Sequence, residues 1–332
     1  MVSSIQHGIK RFHLSEEARR QKLAKEEHTI KNYRALTENV LTLKAQGVFN
    51  DSAFKKTTDI LDVNPEFYTV WNYRRDIIVN HYMQSLGEEG LVDLFDKELL
   101  YNMAKFREFP KVYWIWNHRT WLLENHPRVN WENELLLVEK IHKLDPRNFH
   151  GWTYRRYIIS HMEKDKDLTL QEFEYTTKMI NANFSNFSAL HNRTKLIPKL
   201  FERGLLINTT HAQFLTKELE YLHNAMYTDP DDQSVFIYLR WLLTSDIFVQ
   251  NIPEEQYIEF LQQELETVKE LNQLEKDDGK ENSWCLQTVV TINQLIQGQT
   301  GEDKSEEITQ CLKLLVDVDP LRRNRYIDLM KR

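Results

Sequence analysis

Apolar positions along this chain fall into paired helical patterns separated by short polar breaks. Between Trp131 and Leu144, the side chains of Leu135, Val138, Ile141 and His142 share one side of a helix. Asp145-Pro146 ends that run, because proline has no amide to donate and clashes with the preceding turn. A second run begins near Asn148. There Trp152, Arg155, Arg156 and Ile159 stand at i, i+3, i+4 and i+7, one helical face. The pattern predicts a hairpin, helix A followed by helix B. Its outline recurs. Pro65 is followed by Trp71, Arg74 and Arg75, and Pro110 by Trp116 and Arg119. Weaker copies carry Phe184, Leu190 and Arg193, then Pro230, Phe236 and Arg240, then Asp278 and Trp284 without an arginine. Successive anchors (71, 116, 152, 190, 236, 284) stand 45, 36, 38, 46 and 48 residues apart. Such a period marks stacked supersecondary units.

The remaining A helices are expected at Ser52–Val63, Leu91–Lys105, Leu170–Asn181, Ala212–Thr228, Glu254–Leu274 and Ser305–Val318, with a short basic cap at Arg322–Lys331. Loops are expected at Gly87–Gly90, Lys164–Asp167, Gly204–Thr210, Lys276–Asn282 and Gly298–Ser305. Before the repeats, Ser15 is placed to cap a helix running to about Ala45. Its first half is nearly all charged; its second half offers Ile30, Tyr33, Val40 and Leu41 to a neighbour. The expected organisation is an arm and helix over 1–46, then one array of six to seven hairpins over 47–332. The fold class is all-α, an α-α superhelix.

Composition narrows this picture. Nine Gly and eight Pro in 332 residues are roughly 5%, against a usual share of about 12%, which favours long helices over a turn-rich β protein. The net charge of −7 argues against a nucleic-acid footprint, which needs a basic face. Cys285 and Cys311 form no C-x-x-C pair, so a reduced, cytoplasmic setting is expected. No apolar run is long enough for a membrane span.

A hairpin cannot hide its apolar face alone and stacks on the next one. One Trp per repeat supplies a large area whose indole N–H needs a partner. An Arg three residues later shares the stripe and must be paired. Asp62, Asp145 and Asp229, near the A-helix ends, are the expected counterions. This reads the ladder as core with structural ion pairs, and only secondarily as an anion surface. Neither a zinc motif such as H-E-x-x-H nor a phosphate loop occurs. Two patches just before a ladder Trp remain: Lys111 with Tyr113, and Asn148-Phe149-His150. Both fall at the start of a B helix, where anions are attracted. The alternative at this level is a solvated lysine and a histidine packed beside Trp152.

The Pro-x5-Trp-x2-Arg ladder, from about Tyr33 to Leu243, resembles the α subunits of the protein prenyltransferases. Three stretches are most similar to the branch that geranylgeranylates Rab GTPases: DPRNFHGWTYRR (145–156), NFSNFSALHNR (183–193) and TDPDDQSVFIYLRWLL (228–243). The opening His7-Gly8-x-Lys10 is similar too. The resemblance implies a crescent of hairpins around a β subunit in an obligate heterodimer. Zinc would be bound by that β subunit and not by this chain, with magnesium as a further candidate ion. The substrate would be geranylgeranyl diphosphate, with a Rab acceptor presented by an escort protein. Lys111 matches the family lysine that contacts the diphosphate, and Tyr113 a tyrosine of the same rim. Asn148, Phe149 and His150 match the Asn–aromatic–His segment facing the active site. His7 is a candidate to approach the zinc from the arm. Two other readings predict different behaviour: the α subunit shared by the farnesyl and type I enzymes, and a non-catalytic repeat scaffold.

Overall fold

The computed structural model describes residues 15–164 and 166–331. His7, Gly8 and Lys10 lie outside the described residues. Among the described residues there is no β-strand, and helices follow one another throughout. They are α1 (Glu16–Ala45), α2 (Asp51–Val63), α3 (Tyr68–Ile77, extended by a π-helical turn Ile78–Tyr82), α4 (Glu88–Glu108), α5 (Tyr113–Asn125), α6 (Trp131–Leu144), α7 (Phe149–Met162) and α8 (Thr169–Ala182). Then come α9 (Phe187–Glu202), α10 (His211–Thr228), α11 (Gln233–Thr244), α12 (Glu254–Asp277), α13 (Ser283–Thr300), α14 (Ser305–Val318) and α15 (Arg323–Leu329). The fold class is the expected one, with A helices α2, α4, α6, α8, α10 and α12 each followed by a B helix.

Capping chemistry sets many of the boundaries. Ser15 accepts from the Ala18 N–H, and Asn50 from Ala53. Thr210 and Gln213 form a capping box at α10. Gly301, at φ +73°, closes α13 in the left-handed conformation that glycine adopts without strain. Three expected loops are partly helical, the one at Lys276–Asn282 because α12 runs to Asp277. Gly87 is the N-cap of α4, so Glu88 and Glu89 lie in its first turn, where the helix dipole favours acids. Gly298 lies inside α13.

Two compact units divide the residues. Of the described residues, one comprises those up to Ile141 with His150–Ile158; the other comprises His142–Phe149 with those from Ile159 onward. In the first unit, α1 packs on α2 through its C-terminal half. Val40 is buried, Tyr33 accepts a hydrogen bond from Asn64 (2.7 Å), and Lys44 pairs with Asp76 (3.0 Å). Ile30 and Leu41, expected to pack, are exposed.

The anchors are core, as their spacing requires. Trp71, Trp116 and Trp152 are buried, and so are Leu190 and Phe236 where the indole is replaced. The proline six residues earlier has a defined part: its carbonyl accepts the indole N–H, Trp71 to Pro65 at 2.9 Å and Trp116 to Pro110 at 3.0 Å. In the Phe236 repeat, whose anchor has no indole, the Pro230 carbonyl accepts from Asn282 (2.8 Å), as the Pro146 carbonyl accepts from Asn186 (3.1 Å). The last anchor is displaced from the expected Trp284. Asn282 caps α13, Leu286 takes the buried place, and Trp284 is half-buried against Phe236.

Candidate functional site

Three ladder arginines are buried and paired, but not with Asp62, Asp145 or Asp229. Arg74 makes a two-pronged bridge to Glu98 (2.8 and 2.6 Å), Arg119 to Glu134 (2.8 and 2.6 Å) and Arg193 to Glu218 (2.8 and 2.5 Å). Each glutamate lies in the interior of a following A helix, facing the B helix before it. Each is also bound from the B helix after it, two residues past that helix's anchor. His118 approaches Glu98 (3.5 Å), Tyr154 donates to Glu134 (2.6 Å) and Tyr238 donates to Glu218 (2.5 Å). One carboxylate thereby ties two repeats together. Asp62 instead holds Lys105 and Tyr101, and Asp229 accepts from its own turn at Asp231. An aspartate at a helix end cannot reach an arginine whose stripe faces the middle of the next hairpin.

The electrostatics follow from burial. Burial alone would raise the Glu98 carboxyl, but the Arg74 guanidinium and His118 outweigh it and hold it near 2. Burial pushes His118 down to about 4. One rung differs: Leu239 stands where an arginine is expected. Its glutamate, Glu264, is only 3% exposed, and His223 Nε2 lies 2.9 Å from both carboxylate oxygens. That contact raises the His223 pKa against the opposing effect of burial.

The ladder is thus structural, and the candidate chemistry lies at the heads of the B helices. Lys111 is exposed, two residues before α5, and makes no ion pair among the described residues. Tyr113 opens α5 and is 62% exposed. His150, 7% exposed, stands edge-on to the Tyr113 ring (4.3 Å between centroids) and stacks on the Trp116 indole (5.7 Å). Its Nε2 is 3.3 Å from the Lys111 carbonyl, to which an Nε2–H donates. Burial lowers the His150 pKa, so the ring is neutral near pH 7. Three of the four expected residues therefore form one constellation: a free amine and a phenol on the surface, with their backbone pinned by a packed histidine. Asn148 belongs to the second unit and is buried. Its counterparts four residues before later anchors, Asn186 and Asn282, cap their helices and donate to Pro146 and Pro230 carbonyls.

Spacing also held a signal that went unread. The first residue of each early B helix is an exposed aromatic: Tyr68, Tyr113, Phe149 and Phe187. Among the described residues no group of three or more His, Cys, Asp or Glu could hold a metal ion. Cys285 and Cys311 are buried, and burial pushes their thiols up to about 12 and 11, so neither is a thiolate at neutral pH. No described helix is long and apolar enough to cross a membrane.

These features define a repeat protein of the prenyltransferase α-subunit type. The sequence pattern described as "Protein prenyltransferase alpha subunit repeat" matches residues 50–81, 95–126, 131–162, 169–200 and 215–246, five successive hairpins. The fold is similar to a chain of the solved "Candida albicans protein geranylgeranyltransferase-I complexed with GGPP", with a TM-score of 0.66 at 21% identity over 91% of this chain and 90% of that one. Two relatives named "Geranylgeranyl transferase type-2 subunit alpha" are similar over almost their whole length. The one from Candida albicans is 41% identical, covering 98% of this chain and 97% of its own. That from Saccharomyces cerevisiae is 40% identical, covering 98% and 99%. The chain belongs to the family of geranylgeranyl transferase type-2 alpha subunits.

Proposed function

We propose that this chain is the α subunit of a heterodimeric Rab geranylgeranyltransferase. It contributes a diphosphate-contacting rim to the transfer of geranylgeranyl from geranylgeranyl diphosphate to C-terminal cysteines of Rab GTPases. The observation that carries this reading is the unpaired Lys111 amine at the head of α5, its carbonyl held by His150. In the transfer, the C1–O bond breaks, the diphosphate leaves with the electron pair, and the cysteine sulfur bonds to C1. A fixed cation beside the leaving oxygens stabilises charge as it develops, which needs no reorganisation at that moment. Lys111 supplies that cation and Tyr113 a neighbouring hydroxyl donor. His150 is a positioning residue acting through the Lys111 backbone. Asn148 immediately precedes α7, which opens with Phe149 and His150.

Among the described residues no group could hold a metal ion; zinc, with magnesium as a further candidate, would be held by the β subunit. The β subunit completes the enzyme, and an escort protein presents the Rab. The test is co-expression with candidate β partners, followed by prenyl transfer to a Rab with and without escort protein. Recovery only with a β subunit that accepts single-cysteine C-a-a-X tails would refute the assignment.

A further inference from the structure

We propose that Trp116, beyond its part in the core, is a positioning residue for the Lys111 amine, a role that rests on Lys111 being the diphosphate-contacting cation. Three hydrogen bonds hold the turn that carries this lysine. The Phe109 carbonyl accepts from the Val112 N–H (3.2 Å), the Pro110 carbonyl from the Trp116 indole N–H (3.0 Å), and the Lys111 carbonyl from His150 Nε2 (3.3 Å). The last two hold the peptide planes on either side of the Lys111 Cα. A residue has only two soft backbone dihedrals, so fixing both planes fixes the direction in which the side chain leaves the backbone.

Trp116 serves both of these bonds. It donates the first itself. It supports the second, because His150 stacks on its indole at 5.7 Å between centroids and 16° between planes. The indole is in turn packed against Phe106 (4.2 Å) and edge-on to Tyr154 (5.5 Å), and Trp116 is only 6% exposed. An exposed amine is thereby tied to a buried ring. The first repeat supplies the contrast. Trp71 donates to the Pro65 carbonyl at 2.9 Å in the same way, but the residue after that proline is Glu66. A purely structural indole would make the two rungs equivalent. A positioning indole makes only Trp116 bear on transfer.

The test is the single-turnover transfer rate of the assembled heterodimer, confirmed intact by gel filtration. Trp116→Phe keeps an aromatic ring and loses the donor; it is measured alone and combined with Lys111→Ala, beside each of Lys111→Ala and Trp71→Phe. Should Trp116→Phe not assemble, 3-benzothienylalanine at position 116 replaces the indole N–H by sulfur and keeps the ring shape. Loss of the donor is expected to lower the rate by about 10-fold, the scale of a small misplacement of a group at the reacting centre. With Lys111→Ala already present the further loss is less than about 2-fold, as is the loss in Trp71→Phe, the margin within which independent changes add. The proposal is overturned if loss of the donor leaves the rate at the wild-type value, if it lowers the rate equally in both backgrounds, or if Trp71→Phe lowers it as much. An equal loss in both backgrounds, with Lys111→Ala itself impaired, refutes the positioning role alone; an unimpaired Lys111→Ala refutes the diphosphate-contacting rim on which that role rests.

Discussion

In the proposed site, Lys111 faces solvent and His150 does not. Truncating the exposed amine should leave packing intact: Lys111→Ala is expected to melt within about a degree of the wild type, since surface changes of this kind are small. His150→Ala removes a ring packed on Trp116 and Tyr113 and a bond to the Lys111 carbonyl. It should cost about 1–3 kcal/mol of stability and lower the transfer rate. Steady-state kinetics would separate the roles: a positioning residue gives partial rescue with His150→Gln, which can still donate to that carbonyl. The sequence marked Lys111, Tyr113 and His150 as candidates through their place before an anchor. It could not reveal that His150 holds the Lys111 backbone, a contact across 39 residues.

At the scale of the element, the repeat is held by an indole below and a glutamate between. Trp71→Ala should cost about 3–5 kcal/mol, as for other large aromatic truncations in cores; chemical denaturation measures it directly. Removing Glu218 would strand Arg193 and leave Tyr238 unpaired, at about 3–5 kcal/mol for a broken buried pair. The pH dependence follows from two histidines of opposite sign. His118, lowered from 6.5 to about 4, stays neutral in the fold while the unfolded chain takes up a proton. Stability therefore falls as pH drops through 6.5 toward 4, by ~3 kcal/mol from this group alone. His223 is raised by Glu264, so its contribution is complete below 6.5 and fades as pH rises through its folded value. Melting of His223→Gln should differ most from wild type at about pH 6 and progressively less as pH rises above neutral. The hairpins were readable from proline breaks and helical spacing. Their counterions were not: Glu98, Glu134 and Glu218 sit 24, 15 and 25 residues past their arginines. No fixed spacing marks them, because loop and A-helix lengths vary. Proximity in sequence favoured the aspartates at helix ends, which face the wrong way.

For the whole molecule, a net charge of −7 sits on a chain whose proposed reaction centre is cationic. The acidity is spread over outward helix faces, while Lys111 stands unpaired at a helix head. An α subunit of this kind offers a rim and no metal site among its described residues, so transfer should require the β partner, and the chain purified alone should show no turnover. The measurement that tests the central claim most directly is the single-turnover rate of geranylgeranyl transfer by the assembled heterodimer, wild type against Lys111→Ala. A fall of roughly 10- to 1000-fold with the heterodimer intact is expected for losing one preorganised charge contact. An unchanged rate at saturating geranylgeranyl diphosphate would contradict the placement of that amine against the diphosphate.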